Sequence, residues 1–279
     1  VIGAGNAALA AAVSAREQGA ARVVALEKAP RTLRGGNTHY SGGLLRIAFG
    51  APDDLRALVP EAEREVPGFY KGVEPYPHRV FMADLLRVTD GRTDPELAEL
   101  LIGRSLDTAT WMARQGIEME PAVSLSAVKV GDTFKWSPGA VIRARHEGVG
   151  LSAMWFKIAE RQGVEIRYDT AAVRLLQDRS GRVTGVAAHG PDGLQEIAAK
   201  AVVLGCGGFE ANPEWRARYL GRPWDHAKVR GTRYNTGDGL RMAMDIGALP
   251  HGQWTGCHST PIDADAPPWL VYLHRHNLI

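Results

Sequence analysis

The sequence predicts an α/β fold: a central parallel sheet, a small antiparallel β hairpin layer, a helical insertion and the start of an α+β capping domain. Three observations predict it. An apolar pair, Val1-Ile2, passes through a glycine turn into an alanine-rich helix; a short apolar run over residues 22–26 ends in Glu27; and a third run, residues 202–204, enters Gly205-Cys206-Gly207-Gly208. Strand, helix and strand in alternation make parallel βαβ units.

The elements follow in order. The first helix runs to about Gln18 and stops at Gly19, as helices commonly do at glycine. Residues 31–50 are rich in Gly, Ser, Thr and Asn, a composition suited to backbone contacts with a ligand. Between 51 and 116 the pattern is helical, most clearly over 94–115, where Asp94-Pro95 makes a start and Gly116 a stop. Residues 151–162 form another amphipathic helix and 164–168 alternate as a strand does. Residues 172–176 and 183–188, joined by a turn at 178–182, read as an antiparallel hairpin with a third strand near Ile197. The run 202–204 reads as a buried strand, and helices follow at 213–220 and 239–246.

Bulk properties narrow the function. A net charge of +2 without a basic run speaks against a nucleic-acid partner, and nothing approaches the roughly 18 apolar residues of a membrane span. The two cysteines, Cys206 and Cys257, have neither CxxC nor metal-type spacing, so we expect free thiols, a cytoplasmic protein and no bound metal. The opening without methionine and the ending at residues 269–279 in mid-element lead us to expect a fragment.

Gly3, Gly5 and Ala8 fit the G-x-G-x-x-G/A fingerprint. The first small residue makes the tight turn, the second admits a pyrophosphate to the backbone, and the third lets helix and sheet approach. The amides of Asn6 and Ala7 would then face the phosphates from the positive end of the helix. Glu27 stands about 20 residues on, where a carboxylate accepts hydrogen bonds from ribose hydroxyls, with Lys28 beside it.

The segment Arg34-Gly35-Gly36-Asn37-Thr38-His39-Tyr40-Ser41-Gly42-Gly43 resembles the flavin loop of the fumarate reductase and succinate dehydrogenase flavoprotein family. Its glycines would admit a flat ring and phosphates, and Thr38 and Ser41 offer hydroxyls. Residues 181–186 resemble that family's hairpin, Gly205, Gly207 and Gly208 its strand return, and Thr236-Gly237-Asp238-Gly239 its later helix-capping turn; Val173 stands where the family's backbone meets the adenine. The resemblance implies a Rossmann-like FAD-binding domain over 1–250, lacking its first residues and its C-terminal return segment, and a truncated substrate-capping domain over 251–279.

The runs 34–37, 209–215 and 230–235 look most like FAD-dependent tricarballylate dehydrogenases. This implies dehydrogenation of a di- or tricarboxylate at a CH–CH bond, tricarballylate to cis-aconitate, by hydride transfer to flavin N5. It also implies an iron-sulfur, membrane-associated electron acceptor. His258 and Thr260 match an H-x-T element that binds a substrate carboxylate, although Ser259 stands where relatives have proline. The position of His39 relative to Gly42-Gly43 implies non-covalent FAD. The proton-transfer residue is expected beyond Ile279, so none is named. His146 and Glu147 could approach the flavin or form a structural turn. A 3-ketosteroid or L-aspartate substrate, fumarate reduction, or a non-enzymatic flavin-binding module remain alternatives.

Overall fold

A computed structural model of the chain describes residues 1–131 and 133–257. In chain order they form α1 (Asn6–Glu17), β1 (Val24–Leu26) and the single-turn helix α2 (Gly36–His39). Then come β2 (Leu44–Leu45), α3 (Ala62–Glu65), α4 (Phe69–Gly72), α5 (His78–Val88), α6 (Pro95–Gln115), β3 (Met119–Pro121), α7 (Val123–Ser126), β4 (Ala127–Val130), β5 (Thr133–Trp136) and β6 (Ile142–Ala144). The long helix α8 (Glu147–Arg161) leads to β7 (Glu165–Arg167), β8 (Ala171–Gln177), β9 (Val183–Gly190), β10 (Gly193–Ala198), α9 (Pro213–Leu220) and α10 (Asp238–Asp245). The described residues fall into two compact units, 1–40 with 155–257, and 41–154.

The first unit carries the parallel sheet. β1 pairs with β7 in parallel, and Ile2 bridges in parallel to Leu26 on one side and Leu204 on the other. Backbone bonds from Ile2 N to Val203 O (2.9 Å), Gly3 N to Leu26 O (2.7 Å) and Gly205 N to Ile2 O (2.8 Å) extend the sheet, so its order is 203–205, 1–3, β1, β7. α1 forms because its alanines have the highest helix propensity, and it ends at Gln18 before Gly19 at φ +88°. Over the sheet lies the antiparallel layer β10-β9-β8, with a register shift between Ala172 and Arg174 that leaves Val173 out of the ladder. Ile2, Leu26, Ala172, Leu175, Val186, Ala188 and Met242 of α10 pack as one core, each large side chain contributing roughly 1.5–3 kcal/mol of burial.

The second unit is the insertion, and it is less purely helical than the sequence pattern implies. Asp94 Oδ1 caps α6 by accepting from the amides of Glu96 and Leu97, Pro95 occupies its first turn, and Gly116 ends it in the left-handed conformation. Two small antiparallel sheets were not anticipated: β2-β6-β3, whose strand β2 lies before α6, and β4-β5, which follows it. Their strands are two to four residues long, too short for a period of two to stand out.

Two further expectations change. Residues 202–204 join the parallel sheet, yet Val203 is 43% and Leu204 37% exposed, so the run is not buried; Leu204 faces an open cleft instead of a packed layer. The helix expected from 151 begins at Glu147, which is itself buried.

Candidate functional site

A cleft of about 290 Å³ opens in the first unit where the parallel strands of 1–3, β1 and 203–205 end. Ligands of open α/β sheets bind at such carboxyl ends. Its walls come from the turn Gly3 to Ala7, from Glu27 and Lys28, from Gly36 to Thr38, from Gly205 to Gly207, and from Tyr234, Asn235 and Asp238.

The small residues at the cleft have distinct causes. Gly3 is at φ +101°, and a Cβ there would stand 2.4 Å from Gly205 O, so glycine lets the two strands meet. A Cβ on Gly205 would in turn lie 2.6 Å from Ala8 Cβ; Ala8 therefore sits behind the cleft as the close helix-to-sheet contact of the fingerprint. Gly5, extended, is the N-cap of α1; it supplies no side-chain cap, and the first turn holds no acid. The positive helix end with Asn6 and Ala7 thus faces the cleft without a built-in anion.

Glu27 is 6% exposed and accepts from Ala29 N at 2.8 Å. Burial pushes its carboxyl above the ordinary range, partly offset by the amides of Ala29 and Ala4 and by the Lys28 charge. Lys28 Nζ donates to Asp238 Oδ2 and to Thr236 Oγ1, each at 2.6 Å, while Thr236 donates to the same Asp238 oxygen at 3.0 Å. Lys28 is thereby tied to the start of α10.

The loop after Glu27 is joined to both neighbours. Thr38 Oγ1 accepts from Asn6 N at 2.8 Å, and Asn37 Oδ1 accepts from Thr232 N at 3.0 Å. Gly35 is buried, left-handed and N-caps α2. His39 packs edge-on against Tyr40 at 5.3 Å, and burial holds its imidazole below the usual value.

Of the residues expected at the cofactor, Gly3, Gly5, Asn6, Ala7, Glu27, Lys28, Gly36, Asn37, Thr38, Gly205, Gly207 and Asp238 come together on this cleft. Gly208 and Gly237 are not among the residues that line it; Gly237 N donates to Gly208 O at 3.0 Å. Val173 offers its carbonyl to Arg241 Nη2 at 3.1 Å. Ser41, Gly42 and Gly43 belong to the second unit, where Ser41 O accepts from Gly148 N and a Cβ on Gly43 would strike the Glu147 backbone at 2.8 Å. His258 and Thr260 lie outside the described residues.

Sequence reasoning missed Tyr234, Asn235, Thr170 and Ala172 as cleft residues. Asn235 is 8% exposed and sits so close to Gly207 that a Cβ there would lie 2.5 Å from its Nδ2. Its place directly before Thr236-Gly237-Asp238 was the available clue. Cys206 lines the cleft with its thiol pushed up to about 11, by burial first and by Asp238 second. Arg145 is engaged by Glu65 at 2.6 Å and by Glu118 and Glu120, which suits a structural cation. Among the described residues no cluster of His, Cys, Asp and Glu could hold a metal, and no helix is long and apolar enough to cross a membrane.

The family model described as an FAD binding domain matches residues 1–255. The chain belongs to the FAD binding domain family. It is 28% identical over 262 residues to a probable fumarate reductase of Shewanella frigidimarina, covering 93% of this chain and 40% of that protein. It is likewise 28% identical over 339 residues to a 3-oxosteroid 1-dehydrogenase of Mycobacterium tuberculosis, with 99% of this chain and 59% of the relative covered. The structure of a flavocytochrome c3 fumarate reductase in its open conformation superposes with a TM-score of 0.70 at 28% identity, over 89% of this chain and 40% of the other. The chain thus spans two fifths to three fifths of the length of these relatives. FAD is the cofactor of this domain, and the helix end with no acid in its first turn, the close glycines and the acid after β1 suit a dinucleotide.

Proposed function

We propose that this chain is the cofactor-binding part of an FAD-dependent oxidoreductase that dehydrogenates, or in reverse reduces, a CH–CH bond beside a carboxylate. The observation that carries the reading is the convergence of the α1 terminus, buried Glu27 and the Gly36–Thr38 turn on one cleft. Bound FAD supplies the two-electron redox capacity. The chain's residues bind and orient: the positive helix end at Asn6 and Ala7 meets the diphosphate, with the Asn6 amide held by Thr38, and Glu27, flanked by Lys28, accepts from ribose hydroxyls. Close backbone approach is given by Gly3, Gly5, Gly35, Gly36, Gly205, Gly207, Gly208 and Gly237, with Ala8 packing the helix behind. Asn37, Thr38 and Asp238 supply polar contacts and the Val173 backbone meets the adenine; the cofactor is held without a covalent link.

At the substrate end, His258 and Thr260 donate hydrogen bonds to a carboxylate. Tricarballylate is the substrate we favour, because 34–37, 209–215 and 230–235 resemble dehydrogenases of that tricarboxylate. Electrons then pass to a separate iron-sulfur partner at a membrane, and the protein itself is cytoplasmic. The fumarate reductase relative supports an anionic substrate, whereas the 3-oxosteroid dehydrogenase relative, matching nearly the whole chain, favours a steroid as the second reading.

The test is anaerobic addition of tricarballylate to the purified full-length protein, followed by its visible spectrum. Bleaching of oxidised flavin is expected. Bleaching by a 3-ketosteroid or L-aspartate instead would transfer the assignment to that substrate, and flavin indifferent to every donor would mark a binding module without catalysis.

A further inference from the structure

We infer that Arg34 is a positioning residue for the cofactor, holding the turn from Gly35 to Thr38 in the shape that lines the cleft; this rests on the reading of that turn as a cofactor contact. Gly35 at φ +103° and Gly36 at φ +54° are consecutive left-handed glycines. Such a pair has the greatest backbone freedom to lose on ordering, and nothing stands within 4 Å of where a Cβ on Gly36 would point. Gly36 therefore gains no order from contacts where a side chain would stand, and the turn depends on the buried Gly35 and on attachments at its ends.

Downstream, those attachments are Asn37 to Thr232 and Thr38 to Asn6. Upstream there is Arg34. Its guanidinium carbon lies 3.9 Å from the centroid of the Phe156 ring on α8, a ring only 1% exposed, and 5.8 Å from that of Tyr168 after β7. Its Nη1 donates to Tyr168 Oη at 2.6 Å, and Glu160 Oε1 stands 3.7 Å away. One planar cation thus stacks on a buried aromatic face, donates to a phenol and faces a carboxylate. A lysine ammonium cannot stack and donate from the same plane, so the geometry selects arginine. Since Arg34 reaches α8 and the residue directly after β7, it anchors the glycine pair beside the same sheet whose strand ends form the cleft.

The experiment compares full-length R34A, R34K and Y168F with E27A. FAD affinity is measured by flavin release, and amide exchange across 35–38 is measured in the flavin-free protein. R34A should weaken FAD binding about tenfold or more and speed exchange at 35–38, R34K should restore only part, and Y168F should fall between. Should R34A fold poorly, R34K and Y168F carry the comparison. Unchanged exchange and affinity in the Arg34 variants, with FAD lost from E27A, would overturn the role of Arg34 while leaving the cleft assignment standing. Faster exchange with FAD affinity unmoved in the Arg34 variants and E27A alike would overturn the cofactor reading of the cleft and this inference with it.

Discussion

The indole N–H of Trp155 donates to Asn6 Oδ1 at 2.6 Å, joining a fully buried ring of α8 to the first residue of α1. Asn6 N in turn donates to Thr38, so the helix end that faces the cleft is held from two sides. Trp155→Phe removes the donor and leaves unfilled space beside a tightly packed helix. We expect a loss of about 2–3 kcal/mol, read from urea unfolding of the full-length protein. A loss under about 0.5 kcal/mol would mean the pair adds little to stability.

Gly3→Ala tests the closest backbone approach in the sheet. A methyl group there meets Gly205 O at 2.4 Å and requires a positive φ that L-residues rarely adopt. Separating the strands should cost about 3 kcal/mol or more and abolish flavin retention. Purification of a yellow, stable G3A protein would contradict this account of the turn.

Glu27 provides a pH-dependent test. Its carboxyl is raised in the folded chain by burial, so the fold binds the proton more tightly than the unfolded chain does. Its contribution to stability is therefore complete below the unfolded carboxylate value and is lost as pH rises through the folded value. Glu27→Gln should make the flavin-free protein less sensitive to pH in that window and relatively more stable above it, while lowering FAD affinity. Thermal melts across pH, with and without FAD, read both effects; parallel pH profiles for the two proteins would refute the first.

In the second unit, Arg143 bridges Glu120 Oε1 at 2.9 Å and Glu147 Oε1 at 2.6 Å, all three side chains being at most 16% exposed. His146 and Glu147 are consecutive left-handed residues, at φ +60° and +61°, so the bridge also secures an unfavourable turn. Arg143→Met removes the guanidinium that bridges the two carboxylates, leaving Glu120 with Arg145 at 3.4 Å, and should destabilise by about 3–5 kcal/mol. R143M combined with E147Q should recover part of that in denaturant unfolding; simple addition of the two losses would argue against coupling.

The two thiols should differ in reactivity. Cys206 is held up to about 11 by burial, whereas Cys257 is exposed. At pH 8 a disulfide reagent should label Cys257 rapidly and Cys206 slowly, with mass spectrometry assigning the sites. Equal labelling rates in the folded protein would show that the cleft does not suppress the Cys206 thiolate.

Much of the site was legible because its requirements are local. Gly3, Gly5 and Ala8 stand at the fingerprint spacing within one short segment, and Asp94-Pro95 with Gly116 delimits α6 from within the helix itself. Other features were not legible because their causes are remote in sequence. The strands β3 to β6 carry too few residues for a periodic pattern, and their pairing alone defines them.

By itself, then, the sequence determined the parallel βαβ start, the antiparallel layer and the small residues of the first turn, since each follows from spacing within one segment. Tertiary structure alone decided that Lys28 is tied to Thr236 and Asp238, that Asn235 fills the space left by Gly207, and that Leu204 faces a cleft. The physical reason is that hydrogen bonds and close contacts act over a few ångströms in space, between residues some 200 positions apart in the chain, and no local pattern encodes that proximity.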